Sequence, residues 1–207
     1  ALLVEPEKVT KELVIVVGAD RGLCGAFNAN LARAAYNHMK DATAAGIAVS
    51  VYCIGKRVEK AFSKLGADIA GAIEEPVEKL DYRRVAGTVK AAVKDFLDGK
   101  YQRVTVAYTW FKSMTSFEPK VDRLLPIPLA QADTKTLREL DYIMEPTPFD
   151  ILDRLLPKSV EMKLYAAVIE SLASEFASRR IAMKNATDAA DDMTVDLTME
   201  YNKARQS

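Results

Sequence analysis

Histidine occurs once in the 207 residues, as His38, and cysteine twice, as Cys24 and Cys53. One histidine excludes His-rich metal centres and two-histidine mechanisms. Two cysteines make neither a disulfide framework nor a complete structural zinc site. Net charge is missing too: 29 basic and 29 acidic residues cancel, leaving no field to collect nucleic acid or anionic lipid. Apolar runs such as Leu13 to Val17 fall far short of the ~18–20 residues that cross a bilayer, so no direct membrane insertion is expected. The N-terminus reaches Glu5 and Glu7 without a basic region or a long apolar one, and no signal peptide is expected. What is present, 49% hydrophobic and 28% charged, is the balance of a folded, soluble chain of about one domain's length.

All nine glycines lie between Gly18 and Gly99, and no proline follows Pro157. The last 50 residues, Lys158 to Ser207, lack both helix breakers and could run ~75 Å as one helix. The first part reads as alternating strands and helices. Leu13 to Val17 is a β-branched run closed by Gly18, the pattern of a strand buried on both faces. Ala26 to Lys40 is helical, with Phe27, Leu31, Ala34, Ala35 and Met39 on one face. Ile47–Ile54 reads as a strand, Gly55 opens a helix through Lys64, and a short strand lies near Ala67–Ile73. Leu80 to Leu97 is helical, with Val85, Val89, Ala92, Val93 and Phe96 inward, and Val104 to Trp110 is a further strand. Pro119, Pro126 and Pro128 favour an edge strand within Met114–Leu129. This alternation predicts an α/β fold, a mostly parallel Rossmann-like sheet with flanking helices, over residues 1–148. Residues 149–207 are expected to form a long C-terminal coiled-coil helix.

That tail carries a second period. From Leu172 the positions Phe176, Arg179, Met183, Ala186, Ala190, Met193, Leu197, Tyr201 and Ala204 recur at steps of three and four, a coiled-coil seam with small knobs. Its other faces are charged in both signs. The seam is expected to pair with a second copy, with another chain, or with a piece of the natural protein absent from this sequence.

Gly18-Ala19-Asp20-Arg21-Gly22-Leu23-Cys24-Gly25 lies between a strand and a helix, the context of an anion site. Its spacing is neither GxGxxG nor a P-loop, no Lys-Ser or Lys-Thr follows, and Asp20 would repel phosphate. A tight structural turn or protein contact is the plainer reading. Cys24 lies near a helix start and Arg21, which could lower its pKa, but His38 is about 20 Å further along the same helix. Cys24 therefore reads as a turn or interface residue, Cys53 as core, and His38 as helix surface. Asp188, Asp191, Asp192 and Asp196 read as a solvated acidic face rather than a metal site. Arg179 lies on the seam itself. Its stem could pack with its head in water, or its fork could meet a carboxylate across the seam or on another subunit.

Three separated motifs resemble the γ subunit family of F-type ATP synthases, the central stalk. They are Asp20-Arg21-Gly22-Leu23-Cys24-Gly25; then Ser174-Glu175-x-x-x-Arg179-x-x-Ala182-Met183-Lys184-x-Ala186-Thr187-Asp188; then Tyr201-Asn202-Lys203-Ala204-Arg205-Gln206. Asp141-Tyr142 with Glu145-Pro146 is similar to the family's foot. The resemblance implies a non-catalytic rotor subunit with no cofactor, coupling c-ring rotation to ATP synthesis or hydrolysis in the α/β ring. It implies as partners the α and β subunits, the ε (or mitochondrial δ/ε) subunit and the c-ring, with the family's N-terminal axle helix preceding Ala1 and its tip following Gln206. Arg179, Met183, Arg205 and Gln206 then fall on the axle, the first and last two where β subunits are contacted. Asp20 to Gly25 fall near the ring's lower face, and Tyr142, Met144 and Glu145 at the foot. It places the protein peripherally on the cytoplasmic face of a bacterial inner membrane or the matrix face of a mitochondrial one. The alternatives are a Rossmann-like nucleotide-binding enzyme using the Gly18–Gly25 turn, and a self-associating coiled-coil scaffold.

Overall fold

The structure, a computed structural model, describes residues 2–128, 145 and 147–206. In chain order come β1 (Lys11–Val17), α1 (Phe27–Ala44), β2 (Ala48–Ile54), α2 (Lys56–Lys64), β3 (Asp68–Ile73), a 3-10 turn (Val77–Lys79), α3 (Tyr82–Leu97), β4 (Arg103–Ser113), β5 (Ser116–Leu125) and α4 (Pro148–Gln206). The sheet order is β3-β2-β1-β4-β5, with the first four strands parallel and β5 antiparallel to β4. This is the mostly parallel α/β sheet expected, with the proline-bearing strand at its edge. Pro119 sits there opposite Thr109, where a missing N–H costs no central ladder bond.

The winding follows from handedness. From β1 the chain steps outward to β2 and β3, and right-handed crossovers put α1 and α2 on one face. There Leu31, Ala35, Val58 and Phe62 pack on Val14, Val16, Val51 and Cys53. After β3 the direction reverses, so α3 crosses to β4 over the other face. On that face Val85, Val89 and Val93 share a core with Leu13, Ile15, Val104 and Val106. Val160, Leu164, Ala167 and Val168 of α4 complete it. β1 is thus buried from both sides, as its unbroken apolar run requires.

α4 is one helix of 59 residues, ~90 Å long. It takes in Pro157, as the expected span of 149–207 does. Thr147 caps it: its hydroxyl accepts from Asp150 N (3.2 Å) and donates to Asp150 Oδ2 (2.6 Å). Pro157 removes one internal hydrogen bond, and it lines a depression of about 220 Å³ together with Val89, Val93 and Leu97 of α3. Among the described residues no helix is long and apolar enough to cross a membrane.

His38 departs from the surface role read from sequence. Its Nε2 donates to Oε1 of Glu12 (2.8 Å), a fully buried side chain on β1. Thr105 Oγ1 donates to the same oxygen (2.9 Å) and the Arg103 guanidinium stands 3.6 Å from Oε2. Burial alone would push the Glu12 carboxyl up, but the bonds from His38 and Thr105 and the charges of His38 and Arg103 outweigh it and hold its pKa below the ordinary value. The stability this contributes is full above the unfolded value of about 4.5 and is lost as pH falls through the lower folded value. Glu12→Gln should cost about 1–2 kcal/mol at neutral pH and flatten the acid limb of the melting curve. Melting temperature against pH for both chains checks this; parallel acid limbs would show that Glu12 is not the titrating group.

Candidate functional site

In a doubly wound sheet the crevice for a ligand opens at the strands' C-terminal ends where the winding reverses, here between β1 and β4. A helix fills that crevice. Ser171 Oγ donates to Val17 O at the end of β1 (2.8 Å). Ser174 Oγ donates to Thr109 O on β4 (3.2 Å) and to Glu170 O (2.8 Å). Ser178 Oγ donates to Cys24 O in the turn after β1 (2.7 Å). The three serines, one helical face apart at steps of three and four, are all buried. Ser171 and Ser174 bond carbonyls of β1 and β4, and Ser178 bonds a carbonyl of the turn that follows β1. The sequence reading missed this row; its signal is Ser171-x-x-Ser174-x-x-x-Ser178.

The turn after β1 is held from beneath. Asp20 does not face an anion: Oδ1 accepts from Lys56 N at the start of α2 (3.0 Å), and Oδ2 accepts from Val77 N (2.6 Å). Ala19 N donates to Asn28 Oδ1 (3.1 Å), and Asn28 Nδ2 to Cys24 Sγ (3.3 Å). Gly25 has φ +55°, a left-handed conformation that favours glycine. Cys24 is buried beneath Ser178. Burial, then the Glu175 charge, pushes its thiol up, the reverse of the lowering that Arg21 and the helix start suggested. With His38 engaged by Glu12, no cysteine–histidine pair forms. Cys53 is core, its thiol pushed up by burial to about 12.

Arg179 lies in the packed part of the helix, next to buried Ala177 and Ser178. Its guanidinium pairs with Glu175 one turn back, and its Nε stands 3.5 Å from Gly22 O. The partner carboxylate is therefore in its own helix. Glu175 is almost wholly buried while the Arg179 side chain keeps 21% exposure, so one edge of the fork faces water. Burial raises the Glu175 pKa although Arg179 opposes the shift. Around this pair lie exposed groups: Leu23 at the turn's apex with φ +62°, Arg21, Phe176 beside the Arg179 head (5.8 Å), and Met183. A leucine that is 75% exposed in a left-handed conformation gains nothing from its own fold.

Beyond this collar α4 stands clear. Every residue from Met183 to Tyr201 is exposed, including Met193, Leu197 and Tyr201 of the seam. Arg205 and Gln206 lie ~39 Å up the helix from Arg179, so the structure does not bring them to the turn. Glu145 is exposed at the opposite end, beside a depression of about 320 Å³ shared with Asp150, Arg154 and Lys158. Tyr142 and Met144 lie outside the described residues. Among the described residues no group of histidine, cysteine and carboxylate side chains could hold a metal ion.

The whole chain, residues 1–207, matches the sequence profile of the ATP synthase family. It is 35% identical over 206 residues to the ATP synthase gamma chain of Chloroflexus aurantiacus, covering all of this chain and 70% of that one. It is also 35% identical over 195 residues to the gamma chain of Legionella pneumophila, covering 94% and 68%. Its fold is similar to a chain in the central stalk and c-ring of the Tetrahymena thermophila mitochondrial ATP synthase, with TM-score 0.65, 22% identity and coverage of 88% and 79%. A chain of the Euglena gracilis mitochondrial enzyme gives TM-score 0.69 at 16% identity, covering 97% and 68%. With its switch-point crevice closed by a helix that then leaves the domain, and with this agreement along its length, the chain belongs to the ATP synthase gamma-chain family.

Proposed function

We propose that this central-stalk subunit is a non-catalytic torque shaft. The α/β domain is its base, and the bare half of α4 is one strand of an axle reaching into a ring of α and β subunits. The observation that carries this is α4 itself. A nucleotide-binding enzyme of this fold needs the crevice between β1 and β4 open, and here Ser171, Ser174 and Ser178 lock a helix into it. The same helix then runs exposed from Met183 to Tyr201 with Met193, Val195, Leu197 and Met199 among its exposed side chains, which a water-facing helix end does not need. A helix clamped at its base resists bending and twisting there, and transmits what acts on its free end.

The collar is the place for intermittent contacts with the ring. Arg21, Leu23, Arg179 and Met183 offer side chains outward, while Asp20, Gly22, Cys24 and Gly25 hold the collar's shape from within. Glu145, with Tyr142 and Met144, is assigned to the foot, facing the ε (or mitochondrial δ/ε) subunit and the c-ring. Arg205 and Gln206 are assigned to β-subunit contacts higher on the axle. The coiled-coil partner of α4 would be an N-terminal helix of the same subunit. The subunit would lie peripherally on the cytoplasmic face of a bacterial membrane or the matrix face of a mitochondrial one.

Mixing this chain with purified α, β and ε subunits tests the reading. It should co-purify with all three and, alone, neither hydrolyse nor tightly bind ATP. Micromolar ATP binding by the isolated chain, abolished by substituting Gly22 or Gly25, would replace the rotor reading with the enzyme one.

A further inference from the structure

α4 is docked along only part of its length. No residue from Phe149 to Ser159 is buried, whereas Val160, Glu161, Leu164, Ala167 and Val168 all are. Phe149, Leu152 and Leu155 are exposed, and Leu156 is the first side chain of the helix packed on the core. The fixed side then begins abruptly. Tyr82, at the start of α3, donates its hydroxyl to Glu161. Lys158 Nζ donates to the same carboxylate at 3.3 Å and stands 4.4 Å from the centre of the Tyr82 ring. One turn on, Tyr165 meets Tyr82 edge-on at 5.6 Å. These contacts clamp α4 to α3.

Pro157 stands between the exposed turns and the clamp, inside the helix. It has no N–H to give to Asp153 O, and a proline ring crowds the carbonyl four residues back. A residue preceding proline is pushed away from helical dihedrals, and here that residue is Leu156. Ser159 Oγ donates to Leu156 O at 2.7 Å, so a side chain competes with the backbone for that acceptor, which bends helices. Packing does not make good the loss. The depression of about 220 Å³ shared with Val89, Val93 and Leu97 leaves room beside Pro157. A second, of about 320 Å³, runs along Ile151, Arg154, Leu155 and Lys158.

The turns before Pro157 hold their own shape, because Thr147 and Asp150 cap them. Sharp bends in helices fall at prolines and serine-weakened turns, not along well-bonded runs. We infer that Pro157 is a hinge built into α4. Residues 148–156 swing about it as a capped helical lever ~14 Å long, while the clamp of Tyr82, Lys158 and Glu161 holds the rest of the helix base still. The hinge belongs to the chain itself and needs no partner, so it stands or falls apart from the rotor reading.

Nitroxide pairs test it in the full chain, whose own Cys24 and Cys53 are buried. Arg83, Phe149, Asp153 and Met162 are exposed and can carry labels. Labels on Arg83→Cys and Asp153→Cys span the joint; labels on Arg83→Cys and Met162→Cys lie on its fixed side. The spanning pair should give a distance distribution at least about twice as broad as the fixed pair. Pro157→Ala restores the N–H and supplies a better helix former, and should narrow the spanning distribution to the width of the fixed one. A pair one turn apart within the lever, Phe149→Cys and Asp153→Cys, should keep the spectrum of a fixed helical spacing. Equal widths in the native chain, a spanning distribution unmoved by Pro157→Ala, or an inner pair averaged by unwinding would each overturn the hinge.

Discussion

Replacing Arg179 by alanine should lower the melting temperature at neutral pH by about 5–10 °C, equivalent to roughly 2–3 kcal/mol in a domain of this size. The loss comes from Glu175. Its carboxylate is 3% exposed and Arg179 is the cation beside it, so truncation leaves a buried charge without its partner. The sign of the pH dependence follows. Glu175 already has a raised pKa, from burial, so the folded chain holds that proton more tightly than the unfolded one. Such a group leaves stability intact below its unfolded value of 4.5 and subtracts from it as pH rises through the folded value. Taking away Arg179 removes the opposing charge, moves the folded value further up and deepens the neutral-pH deficit. The difference between native and Arg179→Ala chains should therefore shrink on acidification. Glu175→Gln placed on Arg179→Ala should recover most of the loss, and Arg179→Lys should fall between, since an ammonium keeps the charge but not the fork that reaches Glu175 and Gly22 together. Melting curves from pH 4 to 8 on the four chains decide it. A melting temperature unmoved by Arg179→Ala would assign the residue wholly to contacts outside the chain.

The same pair shows what the sequence could and could not convey. Glu175 and Arg179 stand at i and i+4 in plain view, the spacing of a helical ion pair. What spacing cannot tell is depth. In a surface helix that pair would be worth a few tenths of a kcal/mol, and only the docking of α4 against Gly22 and Cys24 makes Glu175 a buried charge. β1, by contrast, was fully legible, because five apolar residues in a row fit only a strand covered on both faces. β5 was legible through its prolines, and α4 through the absence of any glycine after Gly99. Glu12 and His38 were not: they are 26 residues apart and meet only because α1 lies across β1 in one register. The serines of α4 were hidden for a different reason. Evenly spaced serines in a charged helix look like solvent-facing polarity, and nothing local distinguishes one that bonds water from one that bonds a strand's last carbonyl. The turn's motif was legible as a pattern, but Asp20's work, holding α2 and the 3-10 turn through two backbone N–H groups, needed the fold.

Amide exchange in the isolated chain should divide α4 sharply in two. From Val160 to Ser178 the helix shares the sheet's core and its serines bond the strand ends, so its amides open only with the domain, as those of β1 do. Past Ala186 every turn through Tyr201 is solvent-facing, and hydrogen bonds within a lone helix hold marginally in water. Local opening free energies run from near zero at such ends to the global value of about 5–15 kcal/mol. Amides beyond Ala186 should then exchange at least about a thousandfold faster than those of Leu13–Val17 and Val104–Trp110. Removing residues 187–207 should leave the melting temperature within about 2 °C, because no core residue of the domain lies there. Adding the complementary axle helix should slow exchange along Ala186, Ala190, Met193 and Leu197 and leave β1 unaffected. Small knobs at 186 and 190 let two backbones approach closely, which favours stiffness over affinity, so the slowing should need high helix concentration in trans. Uniform slow exchange along the whole of α4 in the isolated chain, coupled to concentration-dependent dimerisation, would mean the seam pairs with its own copy, and the shaft reading of the bare half would give way to a self-associating scaffold.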